Sequence, residues 1–98
     1  MKTAARIDAN QPEIVRVLRD AACSVLIVSQ LKNCCDLIVA RNWKTMALEV
    51  KDENQPPSKQ RLTEGEERFH NTWQGRLFVV TTAEQALQLA DIFLVAKC

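Results

Sequence analysis

The chain has 98 residues, 47% of them apolar and 26% charged, which points to one small globular domain over residues 1–98 and excludes a disordered or low-complexity chain. Thirteen Lys and Arg stand against 12 Asp and Glu, a net charge of +1, so there is no global basic footprint and any nucleic-acid contact has to come from local clustering. The four cysteines, Cys23, Cys34, Cys35 and Cys98, lack the spacing of zinc and redox motifs and read as reduced thiols of a cytoplasmic protein.

In chain order, residues 1–6 hold no apolar stretch of the secretory kind, and no later run reaches membrane-spanning length, so no membrane partner is expected. Three helix starts share one device, a cap residue with an acid three positions on: Asn10 with Glu13, Thr63 with Glu66, and Thr81 with Glu84. The first predicts a helix over 11–22, with Pro12 in its first turn and Ile14, Val17, Leu18 and Ala21 as its apolar stripe. The second opens a short helix to about 73, carrying Phe69 and Trp73 one turn apart, with Gly65 weakening it. The third predicts a helix over 83–95, buried along Ala83, Ala86, Leu87, Ala90 and Leu94.

Strand-like runs fill 24–28, 36–41, 45–51 and 76–80. Two of them are continuously apolar, the pattern of strands covered on both faces. The order helix, three strands, helix, strand, helix gives an α/β layered domain with a mixed sheet. Residues 52–60 read as a polar loop with Pro56-Pro57 extended. At this size the core is thin, and a homodimer would add stability.

The runs 36–41 and 45–51 are separated by Asn42-Trp43. If these form a two-residue hairpin turn, Arg41 faces Lys44, Ala40 faces Thr45, and the pairing runs out to Asp36 opposite Glu49. Two carboxylates then stand with Cβ atoms roughly 5 Å apart, a destabilising juxtaposition that a divalent cation relieves. Hard oxygen ligands at this spacing suit Mg²⁺ or Mn²⁺. Glu49 and Lys51 share a strand face, while Met46, Leu48 and Val50 take the other, into the core. An acid pair beside an ammonium suits phosphodiester hydrolysis: a metal polarises the phosphate and acidifies water, and the lysine orients that water or stabilises developing charge. A solvated surface pattern competes with this reading, but Asp36 opens a very apolar run and Glu49 interrupts one.

Asp36, twelve intervening residues, then Glu49-Val50-Lys51 resembles the PD-(D/E)XK nuclease signature, with Cys35 where the family usually has Pro. The pieces DANQPEIVRVLRDA, CDLIVARN, ALEVKDENQPPSKQRLTEGEERFHNTW and GRLFVVTTAEQAL extend the resemblance over about residues 8–90, to small phage or prophage proteins of the VRR-NUC and Holliday-junction-resolvase-like group. The resemblance implies a restriction-endonuclease-like αβββαβ core, with a mixed central sheet flanked by helices, and a bacterial, phage or prophage source. It implies Asp36, Glu49 and the Val50 backbone carbonyl as metal ligands and Lys51 as the catalytic lysine. Many members carry a further glutamate on the first helix, which Glu13 matches; a capping acid explains the same residue without catalysis. Gln60 matches a position near the site in relatives, or is an ordinary loop residue. Lys59 and Arg61 are the better candidates for DNA phosphates, with solvated loop charge as the competing account. His70 is assigned no role; Trp43 and Trp73 are assigned to core or interface packing, with contact to a partner or DNA as the alternative.

The expectation is therefore a Mg²⁺- or Mn²⁺-dependent endonuclease on DNA, with branched or four-way junction DNA preferred by family analogy. A nuclease acting on linear DNA, and a non-catalytic DNA-binding or assembly module that keeps the fold, stand as alternatives.

Overall fold

The computed structural model describes residues 8–96; Cys98 lies outside them. Helix α1 (Gln11–Asp20) is followed by β1 (Ser24–Ile27), β2 (Leu37–Arg41) and β3 (Lys44–Val50). A one-turn helix α2 (Pro57–Gln60), then α3 (Glu64–Thr72), β4 (Leu77–Val80) and α4 (Ala83–Phe93) complete the chain. The four strands form one sheet in the order β1-β2-β3-β4. The first two pairings are antiparallel, and β4 lies parallel to β3. The protein is thus α/β with a mixed sheet, and no helix among the described residues is long and apolar enough to cross a membrane.

The β2–β3 hairpin has the register expected from a two-residue turn: Arg41 opposes Lys44 and Leu37 opposes Leu48. Asn42 and Trp43 both lie in the left-handed region, at φ 57° and 65°. Two such residues make the turn whose twist matches that of paired strands. Arg41 locks the tip, donating to the carbonyls of Ala21 (3.2 Å), Ala90 (2.9 Å) and Leu94 (3.2 Å), while Asn42 also donates to Leu94. One guanidinium thereby satisfies carbonyls at the C-terminal ends of both α1 and α4.

The core lies on one side of the sheet. Leu37, Val39, Met46, Leu48, Val50 and Val80 meet Ile14, Val15 and Leu18 of α1 and Ala86, Ala90 and Leu94 at α4. Truncating fully buried Leu18 to Ala would cost about 2–5 kcal/mol. The buried stripe of α1 is Gln11, Ile14, Val15 and Leu18, so Val15 replaces the expected Val17. The helix ends at Asp20 because Ala22 turns to φ 69°.

Two of the three caps differ from expectation. Thr63 and Glu66 form the full capping box of α3. At α4 the cap is Thr82, not Thr81: its hydroxyl accepts from Gln85 N–H, while Gln85 Oε1 accepts from Thr81 N–H. Asn10 caps nothing. Its amide donates instead to the carbonyls of Lys51 (3.0 Å) and Thr81 (2.7 Å), pinning the start of α1 to the ends of β3 and β4. Two otherwise open strand-end acceptors outbid a local cap.

The polar segment 52–60 also departs from expectation. Pro56 is extended but Pro57 opens α2, as a proline at the first helical position readily does. The apolar strands β1 and β4 are sheet edges with Leu26, Ile27 and Val79 well exposed; the strand buried on both faces is β3. Apolar composition reports what a strand could bury, not where the sheet order places it.

Candidate functional site

Beyond Leu37 the hairpin ladder continues for one more residue. Asp36 donates its N–H to Leu48 O at 3.0 Å, and its carbonyl accepts from Val28 N–H at 2.8 Å. Its side chain is fixed too, with Oδ2 accepting from Val50 N–H at 2.7 Å, a charge-assisted bond. Continuing that register by one pair sets Asp36 against Glu49.

On β3, Glu49 and Lys51 lie on the face opposite Met46, Leu48 and Val50, as strand alternation requires. That face is not solvent. Glu49 is only 3% exposed and Lys51 8%, because α3 crosses over them. Lys51 Nζ meets Glu66 Oε1 at 3.1 Å and Glu49 Oε2 at 3.6 Å. Glu66 Oε1 also accepts from Thr63 N–H at 2.9 Å, so the capping acid of α3 holds the lysine at the same time. Glu49 Oε1, on the other side, is buried without a hydrogen-bond partner. His70 Nε2 lies 3.9 Å from it.

A cavity of about 240 Å³ opens onto this group, lined by Asp8, Asp36, Glu49, Val50, Lys51 and Lys59 among others. A second, of about 270 Å³, reaches Asp36 and Glu49 from the side of Lys32 and Cys34. A roomier cavity of about 480 Å³ lies elsewhere, against α1 between Val15 and Ile27, and none of the acid–lysine group lines it.

The electrostatics follow from burial. Glu49 is pushed up to about 9, first by desolvation and then by the Asp36 carboxylate beside it. It therefore holds a proton at neutral pH. Asp8 is also raised, by burial and then by Asp36. For Lys51, burial works against the charge, but the hydrogen bond and charge of Glu66 outweigh it and hold the ammonium above its ordinary value. Burial likewise opposes the Glu66 charge, and the Thr63 amide and Lys51 overcome it. Burial lowers His70, which favours the neutral imidazole. Desolvation pushes the Cys35 thiol up to about 12, so it is inert as a nucleophile.

Of the residues singled out in the sequence, Asp36, Glu49, Val50, Lys51 and Lys59 come together. Glu13 does not: it is exposed on α1 and lines neither cavity at the carboxylates. It is also not a capping acid, since Asn10 is engaged elsewhere. The acid the N-terminal segment does bring is Asp8, two residues before the Asn10 anchor. Gln60 is turned inward on its own loop, donating to the carbonyls of Glu53 (3.2 Å) and Gln55 (2.6 Å), and Arg61 is exposed outside the lining. The sequence reading missed Asp8, Glu66 and His70. The Thr63–Glu66 capping box was the available signal for the last two, because it fixes a helix on which 66 and 70 share a face.

Among the described residues, no three His, Cys, Asp or Glu side chains stand together as a ready metal cage. The chain matches no family model, no curated protein and no solved structure with which it was compared.

Proposed function

We propose that this protein is a metal-dependent endonuclease hydrolysing DNA phosphodiester bonds, with a PD-(D/E)XK, restriction-endonuclease-like core. The observation that carries the reading is the meeting of Asp36, Glu49 and Lys51 at one cavity, with the two acids opposed across a hairpin.

The donor set suits a hard divalent cation. Asp36, Glu49 and the Val50 carbonyl would hold Mg²⁺ or Mn²⁺; Mg²⁺ commonly takes one or two carboxylates and keeps water or substrate phosphate in its other positions. Glu49 supports the fit. A carboxyl this buried, beside a second carboxylate and with an unpartnered oxygen, is a costly arrangement that a cation relieves. When bound, the metal supplies Lewis acidity toward the scissile phosphate and the attacking water. Lys51, charged and held by Glu66, stands where it can orient that water or neutralise charge building on the phosphate. Lys59 at the rim offers a backbone phosphate contact.

The preferred substrate is branched or four-way junction DNA, on the ground that a bare core reads DNA shape. A homodimer would set two such sites on two strands, and the open β1 edge offers a place for it.

The Lys51–Glu66 pair, and the lack among the described residues of three His, Cys, Asp or Glu side chains grouped to hold a metal, favour a second reading, a DNA-binding or assembly module without catalysis. Calorimetric titration with Mn²⁺ separates the two. The nuclease reading expects binding by the wild type that Asp36→Asn and Glu49→Gln each abolish. Wild-type protein that takes up no Mn²⁺ supports the module instead.

A further inference from the structure

Buried polar atoms in folded proteins nearly always find a partner. Among the described residues, three buried side-chain atoms have none: Asn10 Oδ1, Glu49 Oε1 and His70 Nε2. The last two face each other at 3.9 Å. One is an acceptor, and the other becomes a donor in one imidazole tautomer. A closure of about 1 Å makes an ordinary N–H···O bond, and such bonds are often long before a site is loaded.

We infer that His70 is a positioning residue for Glu49, its Nε2–H donating to Oε1 and keeping Oε2 turned toward Lys51 and the cavity. The inference rests on the metal-site reading and deepens it. His70 is well placed for the task. It lies one helical turn beyond Glu66 on α3, whose start is locked by its capping box. The helix thus presents one side chain to Lys51 and the next to Glu49. The imidazole is 15% exposed and its ring packs edge-on against Phe69, with centroids 6.2 Å apart, so the contact is shielded from water. Carboxylates that hold metals are themselves usually hydrogen-bonded, and removing such a partner weakens the metal.

The chain has one histidine, so its imidazole signals assign themselves. A long-range ¹H–¹⁵N spectrum of the wild type should show the proton on Nε2 and Nδ1 bare. In Mn²⁺ titrations, His70→Ala should bind about 10–100-fold more weakly than wild type, while His70→Gln, whose amide nitrogen can replace Nε2, should stay within about threefold. Circular dichroism establishes that each variant is folded; should the Ala variant unfold, the tautomer and the Gln variant decide. A proton on Nδ1, an Ala variant that binds like wild type, or a Gln variant as weak as Ala overturns the role of His70 and leaves the metal site standing. No Mn²⁺ binding by the wild type removes the metal site, and the inference with it.

Discussion

Glu49 is a buried acid with an unpartnered oxygen and gives the sharpest expectations. Its ordinary value of 4.5 rises to about 9 on folding. The native state therefore holds its proton more tightly than the unfolded chain does. That contribution is complete below about 4.5 and is lost as pH climbs toward 9. Without metal, the wild type should melt at a lower temperature at pH 8 than at pH 5, and Glu49→Gln should show a smaller drop; equal drops in thermal melts would contradict the burial account. Asp36→Asn keeps an oxygen for the Val50 N–H, so its melting temperature should stay near that of the wild type while its metal binding disappears. Lys51→Ala should lower cleavage on the order of 10²–10³-fold, as removal of one transition-state donor does, measured as single-turnover rates. At this scale the site was partly legible from sequence. Opposition across a short turn is a local property, so Asp36, Glu49 and Lys51 were legible. Asp8 was not, because it reaches the cavity through an Asn10 side chain that bonds residues 41 and 71 positions away, and no neighbour in sequence signals that. The capping account of Glu13 failed for the same reason, a local pattern that lost to a tertiary hydrogen bond.

The hairpin and α3 are the elements that build the site. The turn places Trp43 at φ 65° and fully in solvent, a conformation unfavourable for a bulky residue and natural for glycine. Trp43→Gly should raise the melting temperature by a few degrees and leave the strand register unchanged; a fall would show that Trp43 contributes something beyond the turn. Arg41 bridges the ends of α1 and α4 with its side chain 16% exposed. Arg41→Ala should cost about 3 kcal/mol in denaturant unfolding, since several buried carbonyls lose a charged donor together. A Cβ at Gly65 would overlap the Asn33 side chain as it stands. The sequence marked Gly65 as a weak point in a helix, whereas in the fold its bare backbone leaves room for Asn33 beside the start of α3. Element type and order were legible from periodicity and turn residues. Which strands are edges was not, because an apolar run looks the same whether or not anything lies over it.

At the scale of the whole molecule, one side of the sheet makes the core and α3 covers the other at the charged group. The open β1 edge, with Leu26 62% exposed and Ile27 47%, is the surface through which the proposed homodimer should form. Light scattering should find a dimer for the wild type and a monomer for Leu26→Lys, since charge on an edge strand discourages pairing. Asp36, Glu49 and Lys51 are proposed to form a metal-dependent phosphodiesterase centre. Its most direct test is the incubation of wild type, Asp36→Asn and Lys51→Ala with a four-way junction and its matched linear duplex, in Mg²⁺ and in Mn²⁺. The expected result is metal-dependent cleavage by the wild type, faster on the junction, and none by Asp36→Asn. Cleavage that persists in both variants, or none by the wild type on any DNA with either metal, would contradict it.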